Sequence, residues 1–216
     1  MTLKEQTEEL RQNVLERMPK SIVQTFKKDI SDLVASKLKE NALQVGATLP
    51  DSVFKDITGK NVYLSEIHTD DYLILNFYRG GWCPYCNMEL REYNRLENEF
   101  KKYNAHIVAI SAEMPEFLEE TNSKNNINYP ILSDINAEFM KKLGIVFSIS
   151  EKAKIDFTGF GVDFKEIHGN TKHELPVPAI YVIDKNFKVV FTHFEEDYMT
   201  RLEPTELLEK FTNNKI

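Results

Sequence analysis

The sequence predicts an α/β domain, a central mixed β-sheet flanked by helices, preceded by an N-terminal helical arm. Three observations predict it. Strand-like apolar runs alternate with helical patterns from residue 72 onward. The only two cysteines of the 216 residues, Cys83 and Cys86, sit where one such run gives way to a helix. Residues 1–45 carry helical apolar stripes and end at a boundary, Gly46 to Pro50 (GATLP).

In the arm, Leu3, Leu10, Val14, Leu15 and Met18 recur at roughly helical spacing, and Pro19 breaks the pattern. Ser21 is the expected cap of a second helix, whose stripe is Ile22, Phe26, Ile30, Leu33, Val34 and Leu38. That stripe needs a cover, on the same chain or in a homodimer. Next come two short strands, SVFKDI and NVYLSE, with Thr58-Gly59-Lys60 as a hairpin turn. A βαβ unit follows: strand Tyr72 to Tyr78, helix about 84–103, strand His106 to Ser111. Helices are expected near 115–125 and 136–143, with strand-like Tyr129 to Leu132 between them. Residues 145–175 show few regular periods and read as a long surface insertion into the 46–216 domain. Ala179 to Asp184 and Val189 to His193 are strands, and Glu203 to Phe211 closes the chain as a helix.

Composition narrows the function. Hydrophobic content of 42% and charged content of 28% fit a globular protein. A net charge of -7 argues against nucleic acid or an anionic membrane as partner. No apolar stretch is long enough to span a bilayer, and the charged N-terminus has no signal core, so the cytoplasm is the expected compartment. There a CxxC pair is more often catalytic or metal-binding than a structural staple.

A dithiol at a strand-to-helix junction is the arrangement of a thioredoxin-like redox centre. Cys83 stands at the expected helix start, where free N–H groups and the dipole favour a thiolate; Arg79 can add positive charge. Pro84 fits the first helical turn. Cys86, one turn on, is expected to be more buried and more protonated. That makes Cys83 the attacking thiol and Cys86 the resolving one. Trp82 is expected to shield the thiol or to serve as a core aromatic. Gly80-Gly81 either allow close approach beneath it or form a plain turn. Half a zinc site is the competing reading of the pair. There is no second CxxC, and His68, His106, His168, His173 and His193 are scattered, so no metal or other cofactor is expected. Pro178, just before the AIYVID strand, is expected to hold a cis peptide bond facing the dithiol.

The stretches GATLPDSVFKDITGKNVYLSE, LILNFYRGGWCPYCNMELREY, LPVPAIYVIDKNFKVVFTH and DYMTRLEPTELL resemble the alkyl hydroperoxide reductase/thiol-specific antioxidant superfamily of peroxiredoxins, and within it the peroxiredoxin-like branch. The resemblance implies a thioredoxin fold. It implies that Cys83 attacks a peroxide and becomes a sulfenic acid, that Cys86 condenses with it, and that thioredoxin or a similar dithiol reduces the disulfide. By the same resemblance Arg79, Trp82, Pro84 and Pro178 are candidates for binding and activating substrate. Two departures matter. Asn76 and Gly80 stand where typical members have a proline and a Thr or Ser. Val177-Pro178 stands where they carry an arginine. Three functions therefore remain open: a thiol peroxidase, a thiol–disulfide oxidoreductase acting on protein disulfides, and a redox-sensing interaction module. Arg201, in the DYMTRLEP segment, has no assigned place; a surface role is as good an expectation as a site role.

Overall fold

The computed structural model describes residues 1–216. The arm comprises α1 (Leu3–Arg17), α2 (Lys20–Ala35) and the single turn α3 (Leu38–Asn41). A reciprocal capping box starts α1: the Thr2 hydroxyl accepts from Glu5 N–H at 3.2 Å, and the Glu5 carboxylate accepts from Thr2 N–H at 2.8 Å. Ser21 does not cap α2. Pro19 occupies the cap position with φ -53°, its ring already set for the helix, and no side chain bonds the free N–H groups.

The hairpin strands β1 (Val53–Lys55) and β2 (Asn61–Tyr63) lead through the short α4 (Leu64–Ile67) into the βαβ unit. That unit is β3 (Tyr72–Phe77), α5 (Pro84–Lys101) and β4 (Ala105–Ser111). Next come α6 (Pro115–Asn125), β5 (Ile131–Ser133), a 3-10 turn at Ile135–Ala137 and α7 (Glu138–Leu143). Residues 145–175 are more regular than their sequence suggests. They hold β6 (Val146–Ser148), α8 (Glu151–Gly159), α9 (Phe164–His168) and most of β7 (Glu174–Pro176). Ser150 caps α8 and Asp163 caps α9 through their side-chain oxygens. The chain ends in β8 (Ala179–Asp184), β9 (Val189–Phe194) and α10 (Pro204–Thr212).

Seven strands form one mixed sheet in the order β2-β1-β5-β4-β3-β8-β9; β6 and β7 pair separately. β3 lies inside the sheet, parallel to β4 and antiparallel to β8. Both its faces are covered, which is why YLILNF reads as a continuous apolar run. Leu73, Leu75 and Phe77 join one core layer with Phe54, Phe139 and Tyr181. Ile74 and Tyr78 join the other, with Leu90, Tyr93 and Phe100 of α5 and Phe211 of α10.

The arm packs on its own chain. Leu3 is fully buried, Phe26 and Leu33 nearly so. Gln6 donates to Glu92 of α5 at 2.9 Å, and Arg11 pairs with Asp197 at 2.9 Å. Val34 and Leu15, at the edge of the predicted stripes, stay exposed. Arm and insertion also clasp each other. Asp29 accepts from the Ser150 hydroxyl at 3.1 Å, and the Phe26 and Phe157 rings lie 5.2 Å apart. An aromatic contact of this kind contributes about 0.5–1.5 kcal/mol beyond its buried area.

Candidate active site

β3 ends at Phe77, and the next six residues turn the chain into α5. The turn is tight because Gly80 and Gly81 accept approaches that a side chain forbids. Gly80 has φ +146°, and a Cβ on it would lie 2.3 Å from the Trp82 indole nitrogen. A Cβ on Gly81 would lie 1.9 Å from the Thr121 hydroxyl. The two glycines therefore serve close approach, not a plain turn. Glu113, just past β4, accepts the Gly81 N–H at 2.9 Å, while Asn87 donates to the Gly81 carbonyl at 2.8 Å.

Cys83 is the N-cap residue of α5 and Pro84 its first residue. No side chain caps the helix, so its free N–H groups face the thiol region. Both thiols are free and buried, Cys83 at 2% exposure and Cys86 at 0%. Their environments push them apart. Cys83 is lowered to about 6: first by the hydrogen bond it can take from the Cys86 thiol, then, against burial, by the Arg79 and Arg201 charges. Burial pushes the Cys86 thiol well up, and the neighbouring Cys83 pushes it further. These environments favour ionisation of Cys83 before Cys86.

Arg79 is 3% exposed and sits among ring faces, 4.1 Å from the Tyr198 centroid, 4.9 Å from Trp82 and 5.7 Å from Phe157. Its Nε and Nη2 have no hydrogen-bond partner; the rings supply the attraction instead. Trp82 both shields the site and anchors the insertion, in edge contact with Phe157 and Phe164 at 5.2 Å each.

Arg79, Trp82, Cys83 and Pro84 line one cavity of about 230 Å³. Its other walls come from far along the chain. Val14, Met18 and Phe26 belong to the arm, and Phe157, Phe160 and Val162 to the insertion. Tyr85, Tyr198 and Met199 complete it, so that apart from Arg79 and the thiol the lining is apolar or aromatic. Three of the thirteen lining residues thus come from the segment that the sequence presents as a surface insertion.

Pro178 does not join them. Every peptide bond is trans, Pro178 included. The chain runs extended from β7 into β8, with Val177 N–H held by the Ile145 carbonyl at 2.8 Å, a conformation that suits a trans bond before proline. Pro178 is buried beside Glu89 and Arg201, away from the Cys83 cavity. Arg201, in contrast, is a site residue and not a surface one. Its side chain is 1% exposed, and its Nη2 donates to the Cys86 sulfur at 3.1 Å. Its Nε lies 2.8 Å from the buried Glu89 carboxylate.

The chain belongs to the AhpC/TSA family. Its residues 45–192 match that family's model. Two kinds of curated relative accompany the match. A thiol-disulfide oxidoreductase, ResA of Bacillus thuringiensis, is 25% identical over 175 residues, 81% of this chain and 82% of that one. A 1-Cys peroxiredoxin of Medicago truncatula is 26% identical over 160 residues, 70% of this chain and 65% of that one. Among solved structures, peroxidoxin BcpB of Mycobacterium tuberculosis superposes with a TM-score of 0.61 at 22% identity, over 79% of this chain and 97% of that one. Prx3 of Vibrio vulnificus gives 0.63 at 19% identity, over 78% and 99%. These likenesses confirm the peroxiredoxin-type thioredoxin fold expected from the sequence. No helix is long and apolar enough to cross a membrane.

Sequence reasoning missed Glu89, Glu113 and the cavity walls. Glu89 had a signal: it lies one helical turn beyond Cys86, on the same face of α5. Glu113 and Phe157 had none, because only the folded sheet and the docked insertion bring them to residues 80–83.

Proposed function

We propose that the protein is a thiol peroxidase that reduces organic hydroperoxides at Cys83, with Cys86 as resolving thiol. The observation that carries this reading is the cavity. Cys83 lines an apolar space of about 230 Å³ that arm and insertion help to wall. A hydroperoxide with an apolar tail fills such a space, and the tail's burial favours it over hydrogen peroxide. The Cys83 thiolate attacks one peroxide oxygen. The O–O bond breaks, the alkoxide leaves and takes a proton to become the alcohol, and Cys83 is left as a sulfenic acid. The helix terminus and Arg79 supply the positive field here, in a site that lacks the peroxide-holding hydroxyl and the arginine of typical members. Cys86 then displaces hydroxide from the Cys83 sulfur; with the Cys86 proton it leaves as water, and a disulfide remains. Thioredoxin or a similar dithiol in the cytoplasm reduces that disulfide.

A second reading, thiol–disulfide exchange on protein substrates, is supported by the ResA relative and by the divided thiols, which suit either reaction. Against it stand the arm's cover over Cys83 and the burial of Pro178. Stopped-flow oxidation of the reduced protein separates the two. Cumene hydroperoxide is expected to react faster than hydrogen peroxide, and both faster than a free thiolate. Rates no better than a free thiolate, together with turnover of insulin disulfides, would replace the first reading by the second.

A further inference from the structure

Both readings require Cys86 to carry negative charge twice. It attacks the oxidised Cys83 sulfur as a thiolate, and it leaves as a thiolate when a reductant attacks Cys83. Its sulfur is wholly buried, and burial raises the cost of that charge by several kcal/mol unless a counter-charge lies in contact. Arg201 is that counter-charge, brought from the loop between β9 and α10. The guanidinium is fixed in place: Nη1 donates to the Tyr198 and Thr200 carbonyls at 2.7 and 2.6 Å, and Nη2 to the Cys86 sulfur at 3.1 Å. Its Nε is 2.8 Å from Glu89 Oε2, yet the N–H does not point at that oxygen, and neither atom has a hydrogen-bond partner. Glu89, 2% exposed, is raised to about 8, chiefly by burial and further by Cys86. One guanidinium thus faces two acids, a carboxyl and a thiol, and can fully compensate only one anion. The Arg79 backbone N–H, 3.5 Å from the Cys86 sulfur, is the other backbone or side-chain N–H that donates to it, and a Glu113 carboxylate repels a Cys86 charge.

We propose that Arg201 is a catalytic residue for Cys86, stabilising its thiolate as nucleophile and as leaving group, and that Glu89 competes for the same guanidinium. In the reductive step a donor thiolate bonds to the Cys83 sulfur, the Cys83–Cys86 bond breaks, and its electron pair stays on Cys86 beside Arg201. A proton from solvent then restores the thiol. The inference rests on Cys86 being the resolving thiol of Cys83, which the peroxide and the protein-disulfide readings share.

The test uses no peroxide. Full-length protein is oxidised with diamide, and reduction of the disulfide by dithiothreitol is followed by stopped flow. Arg201→Met is expected to slow reduction at least tenfold, and Arg201→Lys, which keeps the charge, to recover part of that loss. At a pH above 8, where Glu89 carries its charge, Glu89→Gln is expected to speed it at least threefold, because the guanidinium then serves Cys86 alone. A purely structural Arg201–Glu89 pair predicts that both variants slow alike. That outcome, or a rate within twofold of wild type for either, overturns the proposal. If Arg201→Met fails to fold, Glu89→Gln decides: faster supports, unchanged or slower overturns. Wild-type protein inert to hydroperoxides would remove the peroxidase reading and leave these rates as valid as before.

Discussion

The two thiols stand one helical turn apart, and the regions around them are opposites. Above Cys83 the molecule is apolar, walled by Phe26 of the arm, Phe157 of the insertion and the ring of Trp82. Around Cys86 it is closed, with the side chains of Arg201, Glu89 and Glu113 buried at the edge of the core that holds the sulfur. A helix terminus alone favours charge on any nearby sulfur. The surroundings assign that charge: the first sulfur has a space in which a small substrate fits, and the second has a fixed cation and no opening. The two roles proposed for them, nucleophile and resolving thiol, are thus distinguished by what packs on each sulfur, not by their place in CPYC alone.

The sharpest way to break the comparison is to exchange the roles. Cys83→Ser is expected to abolish hydroperoxide reduction, by at least a thousandfold in a coupled assay. Cys86→Ser is expected to keep the first oxidation of Cys83 within about threefold, with a sulfenic acid trapped on Cys83 by dimedone and seen by mass spectrometry. A sulfenic acid on Cys86 instead would invert the assignment.

The apolar wall is tested next. Phe157→Ala removes a ring from the cavity lining and its contact with Phe26. The rate constant for cumene hydroperoxide is expected to fall about tenfold, roughly what 1–2 kcal/mol of lost apolar contact produces. That for hydrogen peroxide should change by less than about threefold. Equal losses on both would mean that the wall serves folding and not substrate choice.

A smaller effect concerns pH. Alkylation of Cys83 by iodoacetamide is expected to rise through a midpoint near 6, since the thiolate forms above that value. In Cys86→Ala the midpoint should move upward, because the donor that contributes most to the depression is gone. An unmoved midpoint would assign the depression to the helix and the arginines alone.

The buried carboxyls give the weakest signal. Glu113 is raised to about 7, first by burial, with the Gly81 N–H opposing. Its folded-state value lies above its unfolded one, so its contribution favours folding fully below about pH 4.5 and is lost as pH rises towards 7. Stability measured by urea unfolding should therefore fall across that window, by about 1 kcal/mol per pH unit for one such group. Glu113→Gln should flatten the slope, and an unchanged slope would assign it elsewhere.

Much of the frame was legible before folding. The strand YLILNF, the helix after Cys83, the Gly59 hairpin and the closing helix follow from period and punctuation, which are local properties. Residues 145–175 were not legible, because their helices are short and lack a long apolar stripe. They gain stability by packing Phe157 and Phe164 on Trp82 and Phe26. The caps Ser150 and Asp163 were the available signals. Pro178 misled because a proline before a strand fits either isomer locally, and the path from β7 to β8 chooses between them.

By itself, the sequence determined that this chain places a dithiol at a strand-to-helix junction, with the first cysteine at the helix start. That much follows from residues adjacent in the chain. Tertiary structure alone decided what surrounds each sulfur, because charge and exclusion of water act through space. Arg201 is 115 positions from Cys86 in the chain and 3.1 Å from it in the fold, and no local pattern encodes that distance.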